Sequence, residues 1–459
     1  MKLLQHVKTI VAFSNKRKRL DEVDNHHAML ESMQLAARIA YAHEKGQCVW
    51  GGDKTKEMPR VRKDFEVDIA LPLGPTYFRR AYRMKKESFY RLYSILKKEL
   101  QQEFIKSDNG ALKKRRLKSV YYIDLKIRLS AAIRFFAGGD PLDIMLTHGI
   151  SHSSVYTSIW GVVDCVNKCP TLKFNFPTHD EQRDISEGFC HMSGAFFNCI
   201  IGCLDGMLIW TTKPSRKECR EEKCGEKNFK CCRKDKFGLN LEAICDHRLR
   251  FTWIDIQWPG STSDYMAWVT SDLCHELETT GLLLDGKCIV GDNAYIKKKY
   301  MAVPLKGIVG QYDDAYNFYC SQLRITIERA FGVLVHRWAI LRRPLTCPLS
   351  KVGPLVMCLC RLHNFFINVK DEDALQTSHK DATYAVQFMD ALHNRVGDCI
   401  TKDAALQRLD RGIPNGLLHG GSHFHDAPHN RTVHENHCPM DDMMAQVKHL
   451  NLARPMSTR

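Results

Sequence analysis

Three carboxylates in this sequence stand where a rigid, inward-facing acid is expected. Asp205 follows a mostly apolar run from Phe196 to Leu204, Asp292 follows Cys288 to Val290 and Gly291, and Glu328 lies within a long helical stretch. If the two runs are neighbouring strands, Asp205 and Asp292 come side by side, where two like charges are costly unless cations sit between them. Oxygen ligands suit Mg²⁺ or Mn²⁺, and a pair of such ions can activate water or a 3′-hydroxyl against a phosphodiester while stabilising the departing oxygen. Arg324 and Gly332 lie one helical turn from Glu328 on either side, a cation and an unobstructed patch of backbone. A lone Asp is more often a surface charge. The three settings together carry the reading.

The elements needed to hold such a site can be read around it. Between about 193 and 348 the pattern alternates between strands and helices, which predicts an α/β catalytic domain. Leu239 to Cys245 and Phe251 to Ile256 read as strands around a turn at Asp246 to Arg248. Asn317 to Leu341 reads as one long helix, with Leu323, Ile327, Ala330, Leu334, Trp338 and Leu341 as its buried stripe.

Upstream, Phe78 to Leu100 has helical spacing of Tyr82, Phe89, Leu92, Tyr93, Leu96 and Leu100. Residues 122 to 168 read as helix, turn, helix: Ile127 to Ala137 is apolar on one face, Gly138 and Gly139 break it, and Pro141 suits a first helical turn. After a second break at Gly149, Ser151 can cap a helix that buries Val155, Ile159 and Val162. That helix exposes His152, Ser153, Tyr156 and Thr157, the residues expected to meet DNA, with Ser151, if it enters a major groove. Three packed helices that bind nothing fit the same segment equally well.

Composition agrees with a polyanionic partner. The 459 residues include 67 Lys and Arg against 52 Asp and Glu, a formal charge of +15, with 44% hydrophobic and 26% charged residues. No window offers the roughly 18–20 uninterrupted apolar residues that span a bilayer, and Gln5, His6, Lys8 and Thr9 interrupt any signal-peptide core. An intracellular protein without membrane attachment is expected. The 19 cysteines are scattered, and Cys219, Cys224, Cys231 and Cys232 lack a clean C-x-x-C pair, so zinc is not read there. Lys16 to Arg19 and Lys113 to Arg116 are basic runs, the first of a kind used for nuclear import. Ala28 to His43 has the spacing of a short helix. The division read from these patterns is a flexible basic region at 1–75, a helical region at 76–170, a catalytic domain at 193–368 and a polar, histidine-rich, loosely ordered tail at 371–459.

Across roughly residues 78 to 368 the chain resembles the PIF/Harbinger transposases and the Harbinger transposase-derived nucleases. The motifs are Leu204-Asp205-Gly206, Lys236-Phe237-Gly238-Leu239-Asn240 leading to Asp246, and Pro259-Gly260-Ser261-Thr262-Ser263-Asp264, followed by Gly291-Asp292-Asn293-Ala294-Tyr295, Ile327-Glu328-Arg329-Ala330-Phe331-Gly332 and Leu362-His363-Asn364. Each is weak alone, and the order is specific. The resemblance implies that Asp205, Asp292 and Glu328 form a metal-binding catalytic triad, with 328 − 292 = 36 and so 35 residues between the last two. It implies an RNase H-like mixed five-stranded sheet flanked by helices, first and fourth strands adjacent, preceded by a helix-turn-helix. Asp264 looks like the group's extra acid in a supporting role, though it could equally cap the helix near Ser263. The segment from Cys219 to Arg233 departs from the group's pattern.

A nuclear, metal-dependent DNA endonuclease or transposase is therefore expected, with duplex DNA, a companion Myb-like DNA-binding protein and a second copy of the chain as its partners. A domesticated, catalytically silent DNA-binding or scaffold protein on the same fold is the alternative. An RNA nuclease is a third reading, since the same metal chemistry serves both backbones.

Overall fold

Helical structure begins earlier than the spacing predicts. The computed structural model describes residues 63–105, 123–307, 310–371 and 438–454. The Lys16 to Arg19 run, the Ala28 to His43 helix, the Lys113 to Arg116 run and the His419 to His437 stretch lie outside the described residues. A π-helical turn at Glu66–Ala70 leads into α1 (Leu71–Tyr82), and α2 (Lys86–Ile105) follows. Part of the 1–75 region is thus helical. The single helix expected from Phe78 to Leu100 is also divided, because Arg83 takes a φ of 57° and ends α1 in the left-handed conformation.

Three helices follow where the apolar spacing puts them: α3 (Leu125–Phe136), α4 (Pro141–His148) and α5 (His152–Lys168). Asp124, Asp140 and Ser151 cap them, each accepting a backbone N–H of the first turn. Gly149 ends α4 at a φ of 62°, a conformation that costs glycine little. Inside this bundle Tyr82, Ser130 and His148 form a buried polar chain, the Tyr82 and Ser130 hydroxyls 2.7 Å apart and Ser130 2.8 Å from the imidazole. The next helix, α6 (His179–Met192), was not legible in the periodicity, although Thr178 and Glu181 form a reciprocal capping box at its start.

The sheet begins with β1 (Ile200–Trp210) and continues, after α7 (Arg216–Glu221), with β2 (Lys230–Cys231), β3 (Lys236–Cys245) and β4 (Phe251–Pro259). Two short helices, α8 (Asp264–Val269) and α9 (Asp272–Thr279), precede β5 (Cys288–Val290) and β6 (Met301–Ala302). Strand order is β4-β3-β1-β5-β6, with β2 paired to the first residues of β3. The β1/β5 and β5/β6 pairs are parallel and the others antiparallel. Among the described residues the sheet has six strands rather than the expected five. The extra one, β2, comes from the Cys219 to Arg233 segment, where Lys230 and Cys231 pair with Phe237 and Lys236.

Two long helices complete the layers, α10 (Gln311–Arg337) against β1 and α11 (Leu349–Asn368) against β4 and α5. Leu323, Ile327, Ala330 and Leu334 are buried along α10 as the spacing predicts. Trp338 is buried too, but just past the end of the helix. Within 371–459, read as a loose tail, α12 (Pro439–His449) is a helix that buries Met440, Met443 and Val447 against α10 and β6. Its i, i+3, i+7 stripe is the usual mark of a packed helix, hidden in a polar neighbourhood. No helix among the described residues is long and apolar enough to cross a membrane.

Candidate active site

Strand register decides where the acids meet. In the parallel β1/β5 pair Cys203 stands opposite Val290, and each chain reaches its aspartate two residues later, at Asp205 and Asp292. The Asp292 carboxylate, in the turn just past β5 where its Oδ1 accepts Ala294 N–H, lies near enough to raise the Asp205 carboxyl. Asp205 does not end its strand, as the apolar run predicted. It lies in the middle of β1, because Gly206 to Trp210 continue the strand against β3. Beyond Val290, β5 has ended and β1 has an open flank there, the carboxyl end of parallel strands where α/β sheets commonly hold ligands.

Helix α10 brings the third acid. The Cys203 thiol donates to the Leu323 carbonyl at 3.2 Å, fixing the helix against β1 on the face that carries Asp205. Arg324, the next residue, places Nη1 3.6 Å from Asp205 Oδ2 and 2.6 Å from Glu328 Oε1. Burial pushes the Asp205 carboxyl up to about 8; Arg324 opposes the rise, and Asp292, Glu328 and Asp264 reinforce it. The same carboxylates hold the Arg324 guanidinium above its ordinary range despite its burial. Asp205, Asp292 and Glu328 therefore share one electrostatic site, with Arg324 as its resident cation.

The opposite face of β1 carries a second polar group that the sequence did not reveal. Gly206 stands opposite Glu242 in β3, and a Cβ at Gly206 would lie 2.6 Å from Asp264 Oδ1 and 2.8 Å from Glu242 Oε1. Only glycine allows that approach. Asn240 donates to Asp264 at 3.0 Å and to Glu242 at 3.2 Å, and the Tyr295 hydroxyl donates to Glu242 at 2.7 Å. Burial raises the Glu242 carboxyl well above its usual range. Ser263, not Asp264, caps α8, so Asp264 is free to face β1 and β3. Glu242 sits fully buried in an apolar strand, where a sequence reading takes an isolated Glu for a solvent-facing residue.

Residues 204–364 match the family described as DDE superfamily endonuclease. That segment, about a third of the chain, is similar to this family. Similar proteins include antagonist of like heterochromatin protein 1 from Arabidopsis thaliana, 22% identical over 357 residues that cover 72% of this chain and 85% of the relative. An ALP1-like protein of the same plant is 23% identical over 320 residues, 65% and 72% of the two chains. Human HARBI1, named as a candidate nuclease, is 22% identical over 250 residues, 53% and 67%. These relatives are of the Harbinger transposase-derived nuclease family, and the resemblance drawn from the motifs stands. No solved structure matches the chain significantly.

Within the matched segment, Asp246, His363 and Asn364 of the other motifs make structural contacts. Asp246 accepts the backbone N–H groups of Arg248 and Arg250 and the Arg250 Nε, which folds the β3–β4 turn. Asn364 accepts Phe251 N–H at 2.8 Å and donates to Phe251 carbonyl at 2.7 Å, acting as one rung of a ladder between α11 and β4. The neighbouring His363 Nε2 meets the Leu249 carbonyl at 2.7 Å. These contacts hold the sheet to α11.

The donor set of the acids fits a hard divalent cation, of the kind DDE superfamily endonucleases generally use: carboxylate oxygens only, crowded enough to raise Asp205. Among the described residues, no group of three or more His, Cys, Asp or Glu stands close enough together to hold a metal ion. Arg324 bridges Asp205 and Glu328 in this arrangement. Cys219, Cys224 and Cys231 are half-buried and Cys232 is exposed, and none of the four is in a disulfide.

On α5 the residues expected to meet DNA are accessible. His152, Ser153, Tyr156 and Thr157 are exposed, and the His152 and Tyr156 rings meet edge to face at 5.1 Å. Ser151 is engaged by the cap, its Oγ accepting Ser154 N–H at 3.1 Å.

Proposed function

We propose that this chain is a divalent-metal-dependent DNA endonuclease or transposase on an RNase H-like fold, acting by hydrolysis and strand transfer at phosphodiester bonds. The observation that carries the reading is the meeting of Asp205 and Asp292 just past the last paired residues of β1 and β5, with Glu328 joined to Asp205 through Arg324. The strand order, with β2 set aside, supports the fold. Asp205, Asp292 and Glu328 are the ligands for Mg²⁺ or Mn²⁺. When bound, the metal supplies charge stabilisation to the attacked phosphodiester and lowers the pKa of water. Arg324 orients Glu328 toward Asp205 and lowers the cost of crowding three carboxylates. Asp264 is a supporting acid acting across β1.

Duplex DNA is the substrate in this reading, with α5 presenting His152, Ser153, Tyr156 and Thr157 to a groove as the second helix of a helix-turn-helix. The formal charge of +15 supports attraction to phosphate. Nuclear residence, a Myb-like companion protein and a homo-oligomer belong to the same reading.

A second reading, a catalytically silent DNA-binding scaffold, is favoured by one feature: the Arg324 guanidinium already occupies the gap between Asp205 and Glu328. Supercoiled plasmid incubated with the full chain and Mg²⁺, Mn²⁺ or EDTA, beside Asp292→Asn, separates the two. Metal-dependent nicking that the variant loses is the expected result. Intact DNA binding without nicking by either protein would move the assignment to the scaffold.

A further inference from the structure

A cavity of about 370 Å³ opens beside Asp264 and takes no part in the chemistry above. Small-molecule sites run from about 300 to 1,000 Å³. Its lining is Trp258, Ser261, Thr262, Ser263, Met266 and Thr270. The turn that shapes it is tight. A Cβ at Gly260 would lie 2.9 Å from the Gly238 carbonyl oxygen and 3.0 Å from that of Phe229, so glycine lets the end of β4 close onto its neighbours. Ser263 then caps α8, accepting Met266 N–H at 3.3 Å, and the helix forms one wall.

The cavity and the acids are joined through one side chain. Trp258 stands opposite Asn240 across β3 and β4, and directly opposed residues share a face of the sheet. The Asn240 amide reaches the Thr262 carbonyl in the cavity wall at 3.4 Å and Asp264 Oδ1 at 3.0 Å. Ser263 of the wall and Asp264 of the acid group are consecutive residues. Asp264 lies near enough to act on the Asp205 carboxyl, so the cavity adjoins the acids from across β1.

The lining selects a class of ligand. Trp258 is half-buried and supplies a flat aromatic surface; Met266 is 48% exposed and supplies a polarizable, adaptable one. Among the described residues no side-chain hydrogen bond occupies the hydroxyls of Ser261 or Thr262. An aliphatic ligand would leave those hydroxyls unmatched, whereas a heteroaromatic ring offers a face to the tryptophan and polar edge atoms to the hydroxyls.

We propose that this cavity takes an unstacked nucleobase of the DNA strand held at Asp205 and Asp292, with Trp258 as its stacking platform. The inference rests on the nuclease reading above. Aromatic stacking holds single-stranded bases with little sequence preference, and enzymes acting on DNA commonly extrude a nucleotide to gain access.

The test uses the full chain and a hairpin duplex with a five-nucleotide 3′ overhang, in which each overhang position in turn carries 2-aminopurine or an abasic site. Affinity and emission are read at one fixed salt concentration. One position should be found where the abasic site weakens binding about tenfold, the size of a lost base–aromatic stack. There, 2-aminopurine emission should change on binding to wild type. Trp258→Ala should bind the intact probe about tenfold more weakly and the abasic probe like wild type, with Trp258→Phe recovering most of the loss. Thr270→Trp, which fills the cavity from an exposed position, should also erase the emission change and keeps the test valid if Trp258→Ala does not fold. Tight binding that ignores abasic substitution at every position overturns the cavity assignment alone. Failure of wild type to bind the hairpin overturns both it and the nuclease reading.

Discussion

Arg324 and Glu328 stand one turn apart on α10, and the guanidinium Nη1 of the first lies 2.6 Å from Oε1 of the second. Helix geometry makes this i, i+4 pair neighbours, and the anchoring of Leu323 to Cys203 turns the pair toward Asp205. Arg324 thus sets the direction of an acid it does not replace. Arg324→Ala should lower plasmid nicking by about 10²-fold, the usual cost of a catalytic group displaced by an ångström. Arg324→Lys should recover only part, because a point charge does not reproduce the planar fork. Nicking by Arg324→Ala at the wild-type rate would remove the arginine from the site.

Function and stability should oppose one another at Asp205. With the Asp205 carboxyl raised to about 8, folding at neutral pH must take up a proton there, a cost that Asp205→Asn removes, so in EDTA the variant should melt about 2–4 °C above wild type while losing nicking. Thermal unfolding followed by circular dichroism reads the first effect, and a lower melting temperature would mean that the Arg324 contact outweighs that cost.

Two buried imidazoles make the fold sensitive to acid. Burial lowers His148 and His363 to about 4 each, against an ordinary 6.5. Between those values the unfolded chain binds protons that the folded chain refuses, so stability is full above pH 6.5 and falls as the pH drops toward 4. Each imidazole contributes up to ~3 kcal/mol to that loss. Urea unfolding at pH 7.5 and pH 5 should show a smaller pH effect in His148→Asn than in wild type. Equal effects in the two proteins would contradict the assignment.

Asn364 is expected to matter for stability alone. Asn364→Ala strands the N–H and carbonyl of Phe251 in a buried setting and should cost about 3 kcal/mol in urea unfolding. The folded fraction should nick plasmid with an unchanged specific rate. A loss of rate without loss of stability would assign Asn364 to the site.

Base contacts by α5 make a separate prediction. Tyr156→Ala and Thr157→Ala should weaken binding to a preferred duplex by about 1–3 kcal/mol each and leave binding to random DNA nearly unchanged. Uniform weakening on both would reduce these residues to backbone contacts.

The primary acids were legible because two of them follow apolar runs and the third sits on a long amphipathic helix. Asp292 was placed correctly since Gly291 closes a strand at once. Asp205 was misplaced at a strand end because β1 is buried on both sides of it, and apolar character there does not mark where pairing stops. The break between α1 and α2 had no glycine or proline to announce it, only the φ of Arg83. Glu242, Asn240 and Tyr295 come from β3 and the loop after Asp292, so their contact exists only once the sheet has formed. Local pattern cannot report a contact that register creates.

The placement of α12 gives the last residues of the chain a role in solubility. Strand β6 is an edge of the sheet, and edges with open N–H and carbonyl groups recruit strands from other molecules. Helix α12 packs beside that edge, held by Lys297 to Asp441 at 2.9 Å and by Gln446 donating to the carbonyls of Ala195 and Phe196, both at 2.9 Å. Shortening the protein ahead of Cys438 would uncover both the edge and the apolar flank of α10. The trimmed product should self-associate.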